Sequence, residues 1–120
     1  MRKRILVVDD DSMCVKLVQR LLKEDYEVIT ALSGMQATHI LEDEEVDLLL
    51  LDIEMPGENG FATYENIRKM KHGENLPVIF ITGRTDRNSM RQCASIGASG
   101  YIEKPIDKDT LLRRIHNAFC

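Results

Sequence analysis

Three short stretches of the chain, Ile5 to Val8, Val46 to Leu51 and Val78 to Ile81, are near-continuous apolar runs. Runs of this length with no polar face predict strands buried on both sides of a parallel sheet. Glu27 to Thr30 and Tyr101 to Ile102 are weaker runs, and predict strands nearer the sheet edge. Between the runs the apolar positions change to helical spacing: Val15, Val18 and Leu22; Ala37, Ile40 and Leu41; Ile67 and Met70 continuing from Tyr64; and Leu112, Ile115 and Phe119 at the end. Asn88 to Ile96 predicts a further helix with Met90, Cys93 and Ala94 inward, and Gly97 stands where a left-handed cap belongs. The chain therefore reads strand then helix, five times over.

That alternation predicts an α/β fold, a parallel sheet with right-handed crossovers and helices on both faces. Ligands of such sheets bind beyond the carboxyl ends of the strands, where the strand order reverses. Chemistry is therefore sought in the residues that follow each apolar run.

Length and charge narrow the field. The 120 residues suit one domain, residues 1–120, with no linker, repeat or low-complexity tract. A net charge of -4 offers no basic stripe for a nucleic-acid backbone. Met1-Arg2-Lys3-Arg4 resembles the start of a signal peptide, but the apolar run after it is short and ends in aspartates. No run approaches the roughly 20 apolar residues of a membrane span, so the expected location is cytoplasmic. Cys14, Cys93 and Cys120 have no paired spacing and read as reduced thiols, and His39, His72 and His116 show no metal-ligand spacing. The acidic run Glu42 to Glu45 and the basic Lys69 and Lys71 read as solvated helix ends.

The strand ends are more informative. Asp9, Asp10 and Asp11 follow the first run, Asp52 the third, Thr82 the fourth and Lys104 the fifth. Sharing one sheet edge, they would converge on a small site holding carboxylates, a hydroxyl and an ammonium. Clustered carboxylates raise one another's proton affinity unless a cation offsets them. An all-oxygen donor set with room for water and phosphate suits Mg2+, and Mg2+ suggests phosphate chemistry. Asp52, anchored by Leu48-Leu49-Leu50-Leu51, has the chemistry of a nucleophile that forms an aspartyl phosphate.

Val7-Val8-Asp9-Asp10-Asp11, Leu51-Asp52-Ile53-Glu54-Met55-Pro56 with Gly60, Ile81-Thr82-Gly83 and Gly100-Tyr101-Ile102-Glu103-Lys104-Pro105 together resemble the receiver domain of two-component response regulators, in order and over essentially the whole chain. The resemblance implies a (βα)5 doubly wound, five-stranded parallel sheet of flavodoxin-like order 2-1-3-4-5. It implies that Asp52 is the phosphoacceptor, with Mg2+ held by Asp10, Asp52 and the main-chain carbonyl of Glu54, and by Asp9 through water. Thr82 and Lys104 would hold the phosphoryl oxygens, a cis bond would join Lys104 to Pro105, and Tyr101 would be the switch aromatic that turns inward as Thr82 moves. The phosphoryl group would come from a histidine kinase, a histidine phosphotransfer protein or a small phosphodonor. The face of the fourth helix, fifth strand and last helix, near Arg87, Arg91 and Arg113, would meet an effector or a dimer partner.

Three positions depart from the pattern: Asn59 where aspartate is frequent, Gly83 for alanine, and Ile106 for phenylalanine. Asp11 reads as a loop or helix-start residue, with Ser12 competing for the cap. Glu54 and Arg84, two residues beyond Asp52 and Thr82, read either as an oppositely charged pair that partly screens the phosphoryl group from water or as two solvated charges. The chain is expected to catalyse only its own modification, either as a stand-alone receiver or as a piece of a longer regulator. An aspartyl phosphatase would look for a second aspartate where Glu54 stands, and a flavin or nucleotide module would not place Asp9-Asp10-Asp11-Ser12 against phosphate. A receiver-like interaction module without phosphorylation is the remaining alternative, favoured by loss of an acid, the threonine or the lysine, all of which are present.

Overall fold

The computed structural model describes residues 2–55, 57–83 and 87–119, with the backbone alone at residues 58 and 87–90. In chain order the elements are β1 (Arg4–Val8), α1 (Ser12–Leu22), β2 (Glu27–Ala31), α2 (Gly34–Asp43), β3 (Leu48–Asp52), β4 (Glu54–Met55), β5 (Glu58–Asn59), α3 (Gly60–Arg68), β6 (Val78–Thr82), α4 (Arg87–Ser95), β7 (Gly100–Glu103) and α5 (Lys108–Phe119). Five strands form one sheet in the order β2-β1-β3-β6-β7, every neighbouring pair parallel. Counted within that sheet the order is the expected 2-1-3-4-5. The short antiparallel pair β4–β5 has no counterpart in the sequence reading, since two-residue strands are below the length at which apolar alternation registers.

Alternate residues of the central strands feed two apolar layers. Leu6, Val8, Leu49, Leu51, Val78 and Phe80 pack in one with residues of α2, α3 and α4. Ile5, Val7, Leu48, Leu50, Ile79 and Ile81 pack in the other with α1 and α5. Leu48 to Leu51 are fully buried, and each contributes roughly 1.5–3 kcal/mol by leaving water. Phe80 anchors the first layer, its ring centroid 5.0 Å from that of Phe61 and 5.6 Å from that of Tyr64.

The helices carry several differences from their predicted faces. In α5 the fully buried residues are Leu111 and Ile115, while Leu112 and Phe119 pack at the margin. Met70 lies beyond α3, partly buried against the first layer. In α4 Cys93 is buried but Ala94 is exposed, and the Met90 side chain lies outside the described residues. The end of α4 is a Schellman cap: Gly97 has φ 76°, its N–H donates to Ala94 O, and the N–H of Ala98 donates to Cys93 O, both at 3.2 Å.

One glycine positions the site. Gly60 starts α3 directly against the end of β3, its N–H donating to Ile53 O at 2.8 Å. A Cβ at this position would land on the Asp52 carbonyl oxygen and 2.6 Å from Ile53 Cα. Only glycine lets α3 pack this closely against the backbone that carries Asp52.

Candidate functional site

The ends of β1, β3, β6 and β7 bring Asp9, Asp52, Thr82 and Lys104 to one edge. Strand alternation continues Ile5 and Val7 into Asp9, and Leu48 and Leu50 into Asp52, so both aspartates fall on the α1–α5 side. Asp9, Asp52 and Thr82 are buried, at 0%, 2% and 2% exposure, whereas Asp10 is exposed. Burying polar side chains at a sheet edge needs local partners. The N–H of Asp11 donates to Asp9 Oδ1 at 3.1 Å, and the N–H of Glu54 donates to Asp52 Oδ1 at 3.1 Å. Asp11, not Ser12, caps α1, accepting from the N–H of Met13 at 3.0 Å.

Lys104 ties the two buried carboxylates together, its Nζ lying 3.0 Å from Asp9 Oδ2 and 3.5 Å from Asp52 Oδ2. Its backbone N–H donates to Thr82 O at 2.8 Å, and the Lys104–Pro105 bond is cis, as the resemblance implies. One ammonium does not balance the charge. Burial, and after it the neighbouring Asp9, push the Asp52 carboxyl up to about 7. Asp9 moves the other way: burial raises it, but the Asp11 N–H and contacts with Cys14, Asp52 and Lys104 bring it below the ordinary range. Lys104 is held up at about 12, burial opposing the charged form and the two aspartates favouring it more strongly.

The donor set fits a hard divalent cation. One carboxylate oxygen each from Asp9, Asp10 and Asp52 can be chosen so that all lie within 4.8 Å of one another. Asp9 Oδ2 is buried with no donor aligned on it as a hydrogen bond, although Lys104 is its charge partner. Three carboxylates offset by a single ammonium, with an all-oxygen donor set among the described residues, are the features that a hard divalent cation such as Mg2+ satisfies. Glu54, with its side chain exposed, opens β4 immediately beyond.

Thr82 and Tyr101 lie on the opposite, α3–α4 side. Tyr101 pairs in register with Phe80, and Thr82 is two residues further along β6, so the two occupy diagonal positions on one face. Tyr101 is half-buried, packed against the layer that contains Phe80.

Arg84, the expected partner of Glu54, lies outside the described residues, as does the side chain of Arg87; Arg91 and Arg113 are exposed. Asn59 caps α3 by accepting from the N–H of Phe61 at 2.8 Å, a task aspartate would do equally. Among the described residues nothing lies within 4 Å of a would-be Cβ at Gly83, and its φ is not positive, so none of them requires glycine there. Ile106 packs at the edge of the second layer.

Cys14 is the site residue that sequence reasoning missed. It stands in the first turn of α1, where its thiol meets Asp9, and burial followed by that carboxylate raises it to about 12. It also lines, with Asp11, Lys104, Pro105 and Ile106, a cleft of about 400 Å³ beside the acidic cluster. The available signal was its position three residues past the helix cap, on the turn that faces back over the strand ends.

Residues 5–116 match a family model described as the response regulator receiver domain. Among curated proteins, the uncharacterized transcriptional regulatory protein YbdJ of Bacillus subtilis is 38% identical over 95% of this chain and 49% of its own length. The transcriptional regulatory protein CrdR of Helicobacter pylori is 36% identical over 99% of this chain and 56% of its own. The chain thus spans about half the length of these two relatives. Among solved structures, the chemotaxis protein CheY4 of Vibrio cholerae superposes with a TM-score of 0.92 at 26% identity, covering 98% of this chain and 99% of that one.

Proposed function

The chain belongs to the response regulator receiver domain family of two-component signalling, and from that premise we propose that it is a switch thrown by phosphorylation of Asp52. The observation that carries this reading is the placement of Asp52: buried at the end of the central strand, beside Asp9 and in contact with Lys104. An Asp52 carboxylate oxygen attacks the phosphorus of the donor, a new O–P bond forms, and the donor's bond to phosphorus breaks with its electrons leaving on the donor. Asp10, Asp52 and the Glu54 carbonyl would hold Mg2+, with Asp9 acting through water, and the bound ion would supply the positive charge that phosphoryl transfer needs. Lys104 holds one phosphoryl oxygen as a point charge, and the Thr82 hydroxyl donates to another. The movement of Thr82 draws Tyr101 inward and alters the surface of α4, β7 and α5.

The donor is a histidine kinase, a histidine phosphotransfer protein or a small acyl phosphate. Residues 1–120 act as one receiver unit in the cytoplasm; among the described residues no helix is long and apolar enough to cross a membrane. An effector or dimer partner meets the α4–β7–α5 face, where Arg91 and Arg113 are exposed.

Intact-mass measurement after incubation with acetyl phosphate tests the reading. A single phosphoryl adduct that requires Mg2+ and is absent from Asp52→Asn is expected. An unmodified wild-type protein with every donor, a cognate kinase included, would refute it.

A further inference from the structure

Tyr101 is held from an unexpected direction. Its side chain lies on the α3–α4 side of the sheet, packed against the core layer that contains Phe80. The helix α5 is on the other side, with Leu111 and Ile115 buried in the opposite layer. Strand β7 is the sheet edge, so a long side chain from α5 can pass around it. Arg114 does so. Its Cδ lies 4.0 Å from the place where a Cβ of Gly100 would be, and its guanidinium carbon is 5.8 Å from the centroid of the Tyr101 ring.

A guanidinium within about 6 Å of an aromatic centroid is attracted to the ring face. The contact matters because Tyr101 has little else polar to hold it. Tyr64, in the same layer, donates its hydroxyl to Ile96 O at 3.1 Å and accepts from Arg68 Nε at 2.9 Å. The Tyr101 hydroxyl makes no hydrogen bond among the described residues. Its half-buried position rests on apolar packing from one side and Arg114 from across the edge.

We infer that Arg114 is a clamp on Tyr101: by holding the ring at the sheet edge it biases the domain toward its unphosphorylated state. This rests on the reading of Tyr101 as the switch aromatic. To move inward toward Thr82 the ring must leave the guanidinium. Any ligand that favours the inward state works against that contact, and removing it raises the ligand's affinity by the same factor. A cation–π contact at a partly exposed site corresponds to about a two- to five-fold effect. Arg114 is a positioning residue, since it acts through Tyr101 and not on the phosphoryl group.

The test uses the full chain with Mg2+ and beryllofluoride as the phosphoryl mimic, read by NMR of ring-labelled tyrosine. The three tyrosines are assigned with Tyr26→Phe and Tyr64→Phe. In Arg114→Met, which keeps the stem and removes the charge, the Tyr101 signal of the unliganded protein is expected to shift part of the way to its liganded position. Beryllofluoride affinity is expected to rise about two- to five-fold. Arg114→Lys should restore most of both, and in a Tyr101→Ala background Arg114→Met should change affinity no further. Should Arg114→Met fold poorly, Arg114→Gln serves the same purpose. A Tyr101 signal and an affinity both unchanged in Arg114→Met would overturn the clamp. A wild-type protein blind to beryllofluoride would instead remove the phosphoacceptor reading, and the clamp's role in switching with it.

Discussion

Replacing Asp52 by asparagine should stabilise the metal-free protein, although it removes the group on which the proposed function depends. Asparagine keeps the size of the side chain and an oxygen to accept from the Glu54 N–H, while removing the negative charge that burial and Asp9 oppose. The carboxyl is raised from 3.8 to about 7. At about 1.36 kcal/mol per unit, that shift sets a ceiling of roughly 4 kcal/mol on the cost of ionising Asp52 in the folded state. Water entry and relaxation at the sheet edge reduce it, so about 2–3 kcal/mol is expected well above neutrality. The direction with pH follows from the raised folded value. The contribution of Asp52 is fully present below the unfolded value of 3.8 and is lost as pH rises through about 7. The advantage of Asp52→Asn should therefore be small at pH 4, grow through neutrality and level off near pH 8. Urea unfolding in EDTA across that range measures it. Excess Mg2+ should narrow or reverse the gap, because wild type gains binding energy that the variant lacks. A wild-type protein more stable than the variant at pH 8 in EDTA, or a gap independent of pH, would show that the assigned electrostatics are wrong.

The remaining predictions concern the scaffold around the site. Gly60→Ala puts a methyl group on the Asp52 carbonyl and should cost about 2–4 kcal/mol in urea unfolding, with phosphoryl acceptance lost as α3 is displaced. Gly83→Ala meets no described residue within 4 Å and should change stability by no more than about 0.5 kcal/mol, checked by the same unfolding curves. Leu50→Ala empties a fully buried position and should cost about 2–5 kcal/mol. Cys14, raised to about 12, should resist iodoacetamide at pH 8 in the folded protein and react readily in urea, as peptide mass mapping would show; equal labelling in both states would contradict its placement against Asp9.

The parallel sheet was legible because Ile5–Val8, Leu48–Leu51 and Val78–Ile81 are buried on both faces, a condition that leaves no alternation and few other readings. The site was legible for a related reason: carboxylates and a lysine directly after such runs must share one edge. The helix faces were less so. In α5, Leu111 and Leu112 are adjacent leucines, and only the angle at which the helix docks decides that Leu111 goes inward. The β4–β5 pair depends on a turn around Gly57, with φ 71°, and carries no periodic signal. Arg114 was passed over for Arg113 because reach around a sheet edge is a property of the docked helix and not of spacing along the chain. Cys14 was passed over because thiols are read by pairing, and its partner is a carboxylate.

The most direct measurement of the central claim is to locate the phosphoryl group. An aspartyl phosphate is an acyl phosphate, which borohydride reduces to a homoserine side chain that survives proteolysis. After acetyl phosphate and Mg2+, reduction and peptide sequencing by mass spectrometry should find homoserine at position 52, and none when Mg2+ is withheld. Homoserine at position 9 or 10 instead, or an unreduced aspartate at 52 in protein shown by intact mass to be phosphorylated, would contradict the assignment of Asp52 as the phosphoacceptor.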